Sequence, residues 1–367
     1  MATSRVLNAL SDRRLLDPSD DSFGNKVVCL PVDLSLPTLG LDQRTLYDIR
    51  ARATLFIHSA WAVNFTVGVR SFESQHIEGL HNLLSLSLAS YLPCPPQLFF
   101  CSSISAVTGA TSGSNFPSYI PELYVDEFGY AQQTGYGRSK LVAEHVVRAA
   151  ARRGANARVL RIGQIVGDTR HGFWNDTEAV PLMIRSALTV GALPDLANQP
   201  GVSWLPVDIL ARAILELSGL LRSPVGSSPT EHLCRSLSSA NPDLVYNILN
   251  PTRLSWAHDI LPGLRSAGLV FDVLPTQEWL RRLRDSEQDP LVNPPVKLRQ
   301  FWEKKYAINR SGNGEENGYQ RFGEGRSDSS DLSFEMKTLM DDSVIMREGN
   351  VNVEMDKFVA QWLKTWT

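Results

Sequence analysis

Short runs of β-branched and aromatic residues alternate with helical patterns along the first two thirds of the chain, and this alternation is the strongest constraint on how it folds. Strands separated by helices favour a parallel sheet that is covered by helices on both faces. The sequence therefore predicts an α/β fold with a doubly wound parallel sheet. The predicted strands are Lys26–Leu30, Thr54–Ile57, Gln97–Cys101, Arg158–Ile162 and Val245–Leu249.

Two segments have the spacing of amphipathic helices. They run from Gly137 to Arg153 and from Asp208 to Leu221, each with an apolar stripe and a charged face. We expect both apolar stripes to face the core. The stripe residues are Leu141, Val142, Val146, Ala149 and Ala150 in the first segment, and Leu210, Ala213, Ile214, Leu217 and Leu221 in the second.

The composition is that of an ordinary globular protein with length for roughly two domains, since 43% of its 367 residues are hydrophobic. A net charge of −3 provides no basic field for a nucleic acid. No stretch approaches the ~20 apolar residues of a membrane-spanning helix, so we expect no membrane partner. The four cysteines show no metal-ligand spacing. They predict separate thiols in a reducing compartment, most simply the cytoplasm, and no metal site.

A tyrosine and a lysine, Tyr136 and Lys140, lie four residues apart at the start of the first predicted helix and therefore share one helix face. A nearby ammonium favours the phenolate of a tyrosine, whose free pKa is near ~10. Upstream, Ser102, Ser103 and Ser105 follow a predicted strand at its carboxyl end, where open α/β sheets bind ligands. The structural alternatives are a surface helix pair for the tyrosine and lysine, and a capped turn for the serines.

Eight separated segments carry a more specific signal. They are LPVDLS at 30–35, HSAWAVNF at 58–65, SFE at 71–73, GLHNLL at 79–84, GYGRSKLVAE at 135–144, RIGQIVG at 161–167, PLM at 181–183 and WLPVD at 204–208. In order and spacing, the chain from roughly residue 5 to 250 resembles the extended short-chain dehydrogenase/reductases. More narrowly, it resembles the thioester reductase domains that terminate nonribosomal peptide synthetases and related carboxylic acid reductases.

The resemblance implies a Rossmann-like fold and NADPH-dependent reduction of a thioester. It implies that Tyr136 is the acid/base, that Lys140 is its partner and holds the nicotinamide ribose, and that Ser103 polarises the carbonyl. Ser102 and Ser105 lie close enough to remain alternatives to Ser103. The residues implied to bind the cofactor are Asp33, Leu34, His58, Ser59, Ala60, Tyr136, Lys140 and Gly163.

The resemblance also implies a substrate and a partner. The substrate is an acyl or peptidyl thioester on a phosphopantetheinyl carrier domain, released in secondary metabolism as an aldehyde, or as an alcohol after a second hydride. Trp174 and Asn175 are implied to lie in a substrate-cleft loop, whereas the alternative for Trp174 is a packed aromatic.

The expected domain organisation places the cofactor-binding domain at residues 1–250, with residues 170–200 contributing to the substrate cleft. A smaller, mainly helical substrate-binding or lid region follows at 251–367. Within it, residues 310–330 have five glycines and no aliphatic side chain, which predicts a flexible loop. Apolar residues return from Val353 to Trp366, which predicts a closing helix.

The chain departs from the family pattern at its start. Members begin with a strand, a glycine-rich turn of the GxxGxxG kind, a helix and a second strand, whereas here Gly24 is the nearest glycine before the first predicted strand. Such a turn presents backbone N–H groups to the pyrophosphate. We therefore expect an N-terminally truncated sheet that lacks its first strand-turn-helix, and weak or no NADPH binding.

Three functional hypotheses stay open. The first is the thioester reductase, and the second is a non-catalytic vestigial or binding module of the same fold. The third is another extended short-chain dehydrogenase/reductase that acts on a small carbonyl or nucleotide-sugar substrate. Against the third, the segments 61–65 and 181–183 resemble thioester reductases rather than epimerases.

Overall fold

Two compact units make up the protein. The structure is a computed structural model that describes residues 2–16, 26–109, 119–221, 241–306, 332–349 and 351–366. The first unit comprises Met1–Val107, Leu123–Leu160 and Arg222–Val245, and the second comprises Thr108–Glu122, Arg161–Leu221 and Tyr246–Thr367. The units interleave along the chain, so a functional division at residue 250 stays a prediction. The predicted loop at 310–330 lies outside the described residues.

Strands and helices alternate along much of the described chain. The strands are β1 Leu55–His58, β2 Gln97–Ser103, β3 Tyr119–Ile120, β4 Asn156–Ile162, β5 Gln164–Val166, β6 Ala192–Asp195, β7 Trp204–Pro206, β8 Val245–Ile248, β9 Asp272–Pro275 and β10 Ser333–Phe334. The α-helices are α1 Ala2–Asp12, α2 Gln43–Arg52, α3 Gly79–Leu88, α4 Gly135–Ala151, α5 Ala179–Thr189, α6 Val207–Leu217, α7 Leu261–Ser266, α8 Thr276–Arg284, α9 Arg299–Lys305, α10 Lys337–Asp342, α11 Val344–Glu348 and α12 Met355–Trp366. Shorter 3₁₀ and π turns are Val69–Phe72, Glu73–Glu78, Ile104–Ala106, Phe128–Tyr130, Trp256–Ile260 and Pro294–Leu298.

The largest sheet has four strands in the order β1-β2-β4-β8. Strands β1 and β2 pair in parallel, with Leu55 opposite Gln97 and His58 opposite Phe100. These are four of the five strands predicted from sequence, with ends that differ by one or two residues. Their alternation with helices agrees with the predicted α/β class.

The predicted strand Lys26–Leu30 is wrong. Residues 27–33 form no regular element and pair with no strand that the structure describes. Their apolar side chains lie largely outside the core, and that of Val28 is 81% exposed. A β-branched run becomes a strand only where a neighbouring backbone takes up its N–H and C=O groups. No such neighbour is present among the described residues.

Helix α4 buries a different face from the one predicted. Leu141 is fully buried as expected, but Ala149 is exposed and Val142 and Val146 are half-buried. The buried face instead carries polar side chains, including Lys140 and the fully buried Glu144. A polar group is buried only where it finds partners. Polar contacts therefore determine which face of α4 is buried, and a hydrophobic pattern does not reveal such contacts.

The core of the first unit joins α3 and α4 to the sheet. Both helices contact β2 and each other. The main cluster of buried residues comprises Leu80, Leu84, Leu98, Phe100, Tyr124, Ala143, Val147, Ala155, Ala157, Val159 and Val245. This packing holds the start of α4 against the carboxyl end of β2.

The second unit has a core rich in tryptophan. Trp204, Trp279, Trp302 and Trp362 are each at most 2% exposed and belong to one apolar cluster. Three two-stranded parallel pairs, β3 with β10, β5 with β7 and β6 with β9, complete it. The predicted closing helix is confirmed as α12, whose Phe358, Val359 and Trp362 are buried.

The cysteine prediction needs a correction. Cys29 and Cys101 are free thiols, but Cys94 is disulfide-bonded, so the prediction of four separate thiols is wrong at Cys94. Spacing along the sequence does not report which cysteines the fold brings together. Among the described helices, none has the length and apolarity to cross a membrane. The described residues also contain no group of three His, Cys, Asp or Glu arranged to hold a metal ion.

Candidate active site

The start of helix α4 places Tyr136 and Lys140 one turn apart on a buried face. Thr134 caps the helix, because its side chain accepts a hydrogen bond from the Gly137 N–H at 2.9 Å. Tyr136 is 8% exposed and Lys140 is 3% exposed. Tyr136 and Lys140 are therefore buried and do not form a surface pair, which was the structural alternative.

The carboxyl end of β2 supplies the hydroxyl that meets Tyr136. Burial raises the pKa of Tyr136, and a hydrogen bond with the Ser103 side chain opposes that rise. The Ser103 hydroxyl also accepts the Ser105 N–H at 3.2 Å, where the chain turns into a short 3₁₀ helix. Ser102 is engaged elsewhere, because its hydroxyl donates to Glu144 at 2.6 Å. Of the three serines, Ser103 is therefore the one placed beside the phenol.

The Lys140 ammonium lies in a cage of three aromatic rings. Its Nζ is 4.4 Å from the ring centre of Trp61, 4.8 Å from that of Phe100 and 5.7 Å from that of Tyr136. It donates one hydrogen bond, at 2.7 Å, to the Cys101 carbonyl. Burial lowers the pKa of Lys140 to about 7, against the opposing effects of Cys101 and Glu144. The charge of Lys140 therefore depends on its burial and on two neighbouring groups, Cys101 and Glu144.

Two glycines let neighbouring backbone reach the start of α4. A Cβ at Gly135 would lie 2.1 Å from the Val67 carbonyl oxygen, and one at Gly137 would lie 2.7 Å from the Ser105 carbonyl oxygen. Both distances are too short for a real side chain. The segment from Val67 to Val69 and the turn after Ser103 thus pack directly on the helix that carries Tyr136.

We expect Gly135→Ala to destabilise the protein by about 1–3 kcal/mol, because the added methyl forces the Val67 backbone away. This loss exceeds the gain in helix propensity, which is at most about 1 kcal/mol. Denaturant unfolding measures the difference. The matched control is Gly68→Ala, since a Cβ at Gly68 meets nothing within 4 Å. Equal stability of the two variants would contradict the close approach.

Five of the residues implied to bind the cofactor lie in two segments of the first unit that precede α4. Asp33 is exposed, and its Oδ1 accepts from the Ser35 N–H at 3.0 Å and from Gln75 Nε2 at 3.1 Å. These hydrogen bonds, led by that of the Ser35 hydroxyl, lower the pKa of Asp33. The Leu34 carbonyl accepts from Asn82 Nδ2 at 2.9 Å. Both residues are thus fixed to the helical segment that runs through α3.

The second of these segments leaves β1 at His58. Ser59 and Ala60 are exposed, whereas His58 is 4% exposed. Its ring stacks on Phe100 at 6.0 Å and meets Trp61 at 6.1 Å. Burial, reinforced by the charges of Lys140 and His76, lowers the pKa of His58 to about 4. His58 is therefore a neutral imidazole at neutral pH.

Two buried ring nitrogens close to Trp61 lack a hydrogen-bond partner among the described residues. They are Nε2 of His58 and Nδ1 of His76. The His76 ring stacks on Trp61 with ring centres 5.0 Å apart. Burial lowers the pKa of His76 as well. These two histidine nitrogens thus lie beside the aromatic cage around Lys140 with hydrogen-bonding capacity that no described contact uses.

Three predicted site residues belong to the second unit. Gly163 lies between β4 and β5, and its N–H donates to the Ile248 carbonyl at 2.9 Å. Trp174 is 6% exposed, and its ring packs against Trp204 at 5.1 Å and Phe358 at 5.4 Å. Core packing therefore accounts for the Trp174 ring, and its role in a substrate cleft stays a prediction. Asn175 is exposed, and its Oδ1 accepts from Thr177 N and Oγ1.

Sequence reasoning did not select Trp61 or Glu144 as members of the site. Trp61 forms one wall of the Lys140 cage, and its Nε1 donates to the Ser139 hydroxyl at 3.2 Å. Glu144 continues the spacing of Tyr136 and Lys140 by one further turn, and that spacing was the available signal.

Comparison with known proteins connects this geometry to a family. The family model described as "Male sterility protein" matches residues 1–214. An adenylate-forming reductase, Nps10, of Heterobasidion annosum is 33% identical over 286 residues, which are 78% of this chain and 23% of that protein. A carboxylic acid reductase of Neurospora crassa is 30% identical over 274 residues, 72% of this chain and 24% of that protein. The chain spans about a quarter of the length of these curated relatives.

Solved structures share the fold. The terminal R domain of the myxalamid PKS-NRPS pathway aligns with a TM-score of 0.72 and 19% identity, over 99% of this chain and 81% of that one. A thiolation-reductase di-domain from an archaeal nonribosomal peptide synthetase aligns with a TM-score of 0.68 and 15% identity, over 100% of this chain and 68% of that one. The α/β Rossmann-like fold and the resemblance to this group of reductases, both predicted from sequence, are confirmed.

Proposed function

Since the chain belongs to the male sterility protein family, we propose that it is an NADPH-dependent reductase that releases a carrier-bound acyl or peptidyl thioester as an aldehyde. The observation that carries the proposal is the grouping of Ser103, Tyr136 and Lys140 in one buried site of the first unit. The relatives named as adenylate-forming reductases and a carboxylic acid reductase support the reaction class.

The side chains of the site suit reduction of a carbonyl group. Ser103 and Tyr136 donate hydrogen bonds to the thioester oxygen and stabilise the negative charge that develops there, which is usually the largest contribution in such steps. Tyr136 passes its proton to that oxygen, and the Lys140 ammonium 5.7 Å from its ring stabilises the phenolate left behind. Once a hydride has been added to the thioester carbon, this protonation gives a hemithioacetal, which collapses to an aldehyde and the free carrier thiol.

The polar atoms around Lys140 fit a nicotinamide cofactor. An ammonium has three donors, and the described contacts give Lys140 one hydrogen bond, to the Cys101 carbonyl. The unpartnered nitrogens of His58 and His76 add further capacity nearby. A bound nicotinamide supplies the hydride for the reduction. Lys140 and Tyr136 would hold its ribose, with Asp33, Leu34, His58, Ser59, Ala60 and Gly163 as the other proposed contacts.

The proposed partner is a phosphopantetheinyl carrier domain. A solved structure of the same fold is a thiolation-reductase di-domain, which supports this partner by analogy. Trp174 and Asn175 are proposed to line the acyl cleft. Reduction of the aldehyde to an alcohol by a second hydride is a further outcome of the same chemistry.

A labelled-hydride assay tests the function. The protein is incubated with an acyl thioester on a carrier domain and a large excess of NADPH that carries deuterium at the transferable position. We expect an aldehyde with one deuterium on its carbonyl carbon, detected by mass spectrometry after trapping as a hydrazone. A second deuterium in the product would show reduction to the alcohol.

Two results would overturn the proposal. One is the absence of labelled product from thioesters with short, long and peptidyl chains. The other is turnover of a nucleotide sugar or free ketone while thioesters remain unchanged, which would favour a different extended short-chain dehydrogenase/reductase. Heat-denatured protein controls for chemical reduction.

A further inference from the structure

One stripe of helix α4 contacts three successive residues at the end of β2. Tyr136, Lys140 and Glu144 are spaced by four and therefore share a helix face. Tyr136 hydrogen-bonds the Ser103 side chain, and Lys140 Nζ donates to the Cys101 carbonyl at 2.7 Å. The third member, Glu144, accepts the Ser102 hydroxyl at 2.6 Å. The proposed chemistry uses the first two members and leaves the third without a role.

Glu144 is a residue whose burial destabilises the fold unless its side chain finds compensating contacts. It is fully buried, and its partner Ser102 is 4% exposed. Taking a carboxylate out of water carries a desolvation penalty unless charge and hydrogen bonds compensate. The O–H···O distance of 2.6 Å is in the range of a charge-assisted bond. An apolar residue would fill the same space without this cost, so packing alone does not explain Glu144.

The hydrogen bond to Ser102 has a geometric effect on Ser103. Ser102 and Ser103 are consecutive residues of β2, and the side chains of both contact α4. When the Ser102 hydroxyl is tied to Glu144, the β2 backbone is held against α4 at the residue that precedes Ser103, which limits where the Ser103 hydroxyl can lie. Ser103 is half-buried and ends the strand, and its hydroxyl contacts the Ser105 N–H and the Tyr136 side chain, so a shift of this backbone would disturb both contacts.

The charge of Glu144 has a second effect, on Lys140. The ionisable groups that face Lys140 are Cys101 on β2, Tyr136 and Glu144 on α4, His58 at the end of β1 and His76 on the π turn Glu73–Glu78. Burial raises the pKa of Cys101 and of Tyr136 and lowers the pKa of both histidines, so these four groups are neutral at neutral pH. Glu144 is the carboxylate of this set.

We propose that Glu144 is a positioning residue of the site, which orients Ser103 through the Ser102 hydroxyl and favours the charged form of Lys140. Glu144 touches neither substrate nor cofactor in this role. Its effect reaches both side chains that assist Tyr136. The consequence for catalysis rests on the proposed function, whereas the effects on Ser103 and Lys140 do not.

Glu144→Gln separates charge from hydrogen bonding. The amide oxygen still accepts the Ser102 hydroxyl, but the negative charge is gone. We expect the titration midpoint of Lys140, followed by NMR of isotope-labelled lysine side chains, to fall by about one pH unit. The assignment uses Lys140→Met. The matched control, Glu127→Gln, neutralises an exposed carboxylate of the same unit and leaves the midpoint unchanged.

Ser102→Ala gives the complementary test and keeps the charge. We expect the Lys140 midpoint to stay within about 0.3 pH units of the unmodified protein, because the Glu144 carboxylate remains. We expect amide hydrogen exchange at Ser105 to accelerate, since its N–H bonds the Ser103 hydroxyl that has lost its support. Ser102→Thr, which restores a hydroxyl, should restore slow exchange.

The proposal fails if Glu144→Gln folds and leaves the Lys140 midpoint where it was, or if Ser102→Ala exchanges Ser105 at the original rate. Should Glu144→Gln not fold, the Ser102 variants still decide the positioning role. These readouts need neither cofactor nor thioester. An inactive protein would therefore contradict the proposed function and leave the proposal about Glu144 unaffected. In an active protein, Glu144→Gln should lower kcat more than it changes KM and should shift the pH profile toward acid.

Discussion

Tyr136→Phe is expected to lower the rate of thioester reduction by about 10²–10⁴-fold, because the variant loses the group that protonates the developing oxyanion. The phenyl ring keeps its contacts with Phe65 at 5.2 Å and Phe72 at 6.4 Å, so the fold should be retained. Ser103 and Lys140 would remain in place around an inert ring. Single-turnover formation of the aldehyde with saturating NADPH measures the loss.

Tyr47→Phe is the matched control for this substitution. Tyr47 lies on α2, is 60% exposed and contacts Tyr91 with ring centres 5.4 Å apart, so this substitution removes an exposed phenol outside the candidate site. We expect full activity in this control. If Tyr136→Phe also retained the rate of the unmodified protein, Tyr136 would not be the proton donor, whatever the substrate.

Acidification should destabilise the protein through His58. The pKa of His58 is about 4 in the fold and 6.5 when unfolded, because burial disfavours the imidazolium. Between these values the unfolded chain binds a proton that the folded protein does not bind. The contribution of His58 to stability is therefore complete above pH 6.5 and is lost as the pH falls toward 4. The loss amounts to about 3 kcal/mol.

The comparison with His58→Phe isolates this effect from that of the titrating carboxylates. A phenyl ring fits among Phe100 and Trp61 and takes up no proton. Denaturant unfolding from pH 7 to pH 4 should show a smaller loss in the variant, by about the same 3 kcal/mol. His81→Gln, at an exposed position of α3, should follow the unmodified protein. Parallel curves for His58→Phe and the unmodified protein would show that His58 is readily protonated in the fold.

The parts of the fold that the sequence predicts well are those held by apolar packing. Strands β2, β4 and β8, the helix α6 and the closing helix α12 bury most of the apolar side chains that signal them. The prediction is wrong where Ile57 of β1 is 44% exposed, where α4 buries a more polar face, and where Leu221 of the second predicted stripe is 54% exposed. The run Lys26–Leu30 has the same composition, but its backbone has no partner among the described strands. Pairing depends on the neighbour as much as on the segment itself, so composition alone could not exclude this run.

The candidate site shows a similar division. Helix geometry alone predicted that Tyr136 and Lys140 share one face of α4. The position of the serines after a strand predicted that they lie at the edge of the sheet where ligands bind. The resemblance favoured Ser103 over Ser102, and the fold adds a physical reason, because Ser102 is held by Glu144, a residue 42 positions away. Trp61 entered the site through the fold, because it belongs to the segment that leaves β1 and no periodicity connects it to α4.

The aromatic cage also changes the reactivity of a residue that is normally inert. With a pKa of about 7, about half of the Lys140 side chains are free amines at pH 7. A desolvated amine of this kind is a nucleophile, whereas a solvated surface lysine remains an ammonium at that pH. A small acylating reagent that enters the site at neutral pH should therefore modify Lys140 in preference to the surface lysines. The desolvation that disfavours the ammonium thus gives the site chemical selectivity.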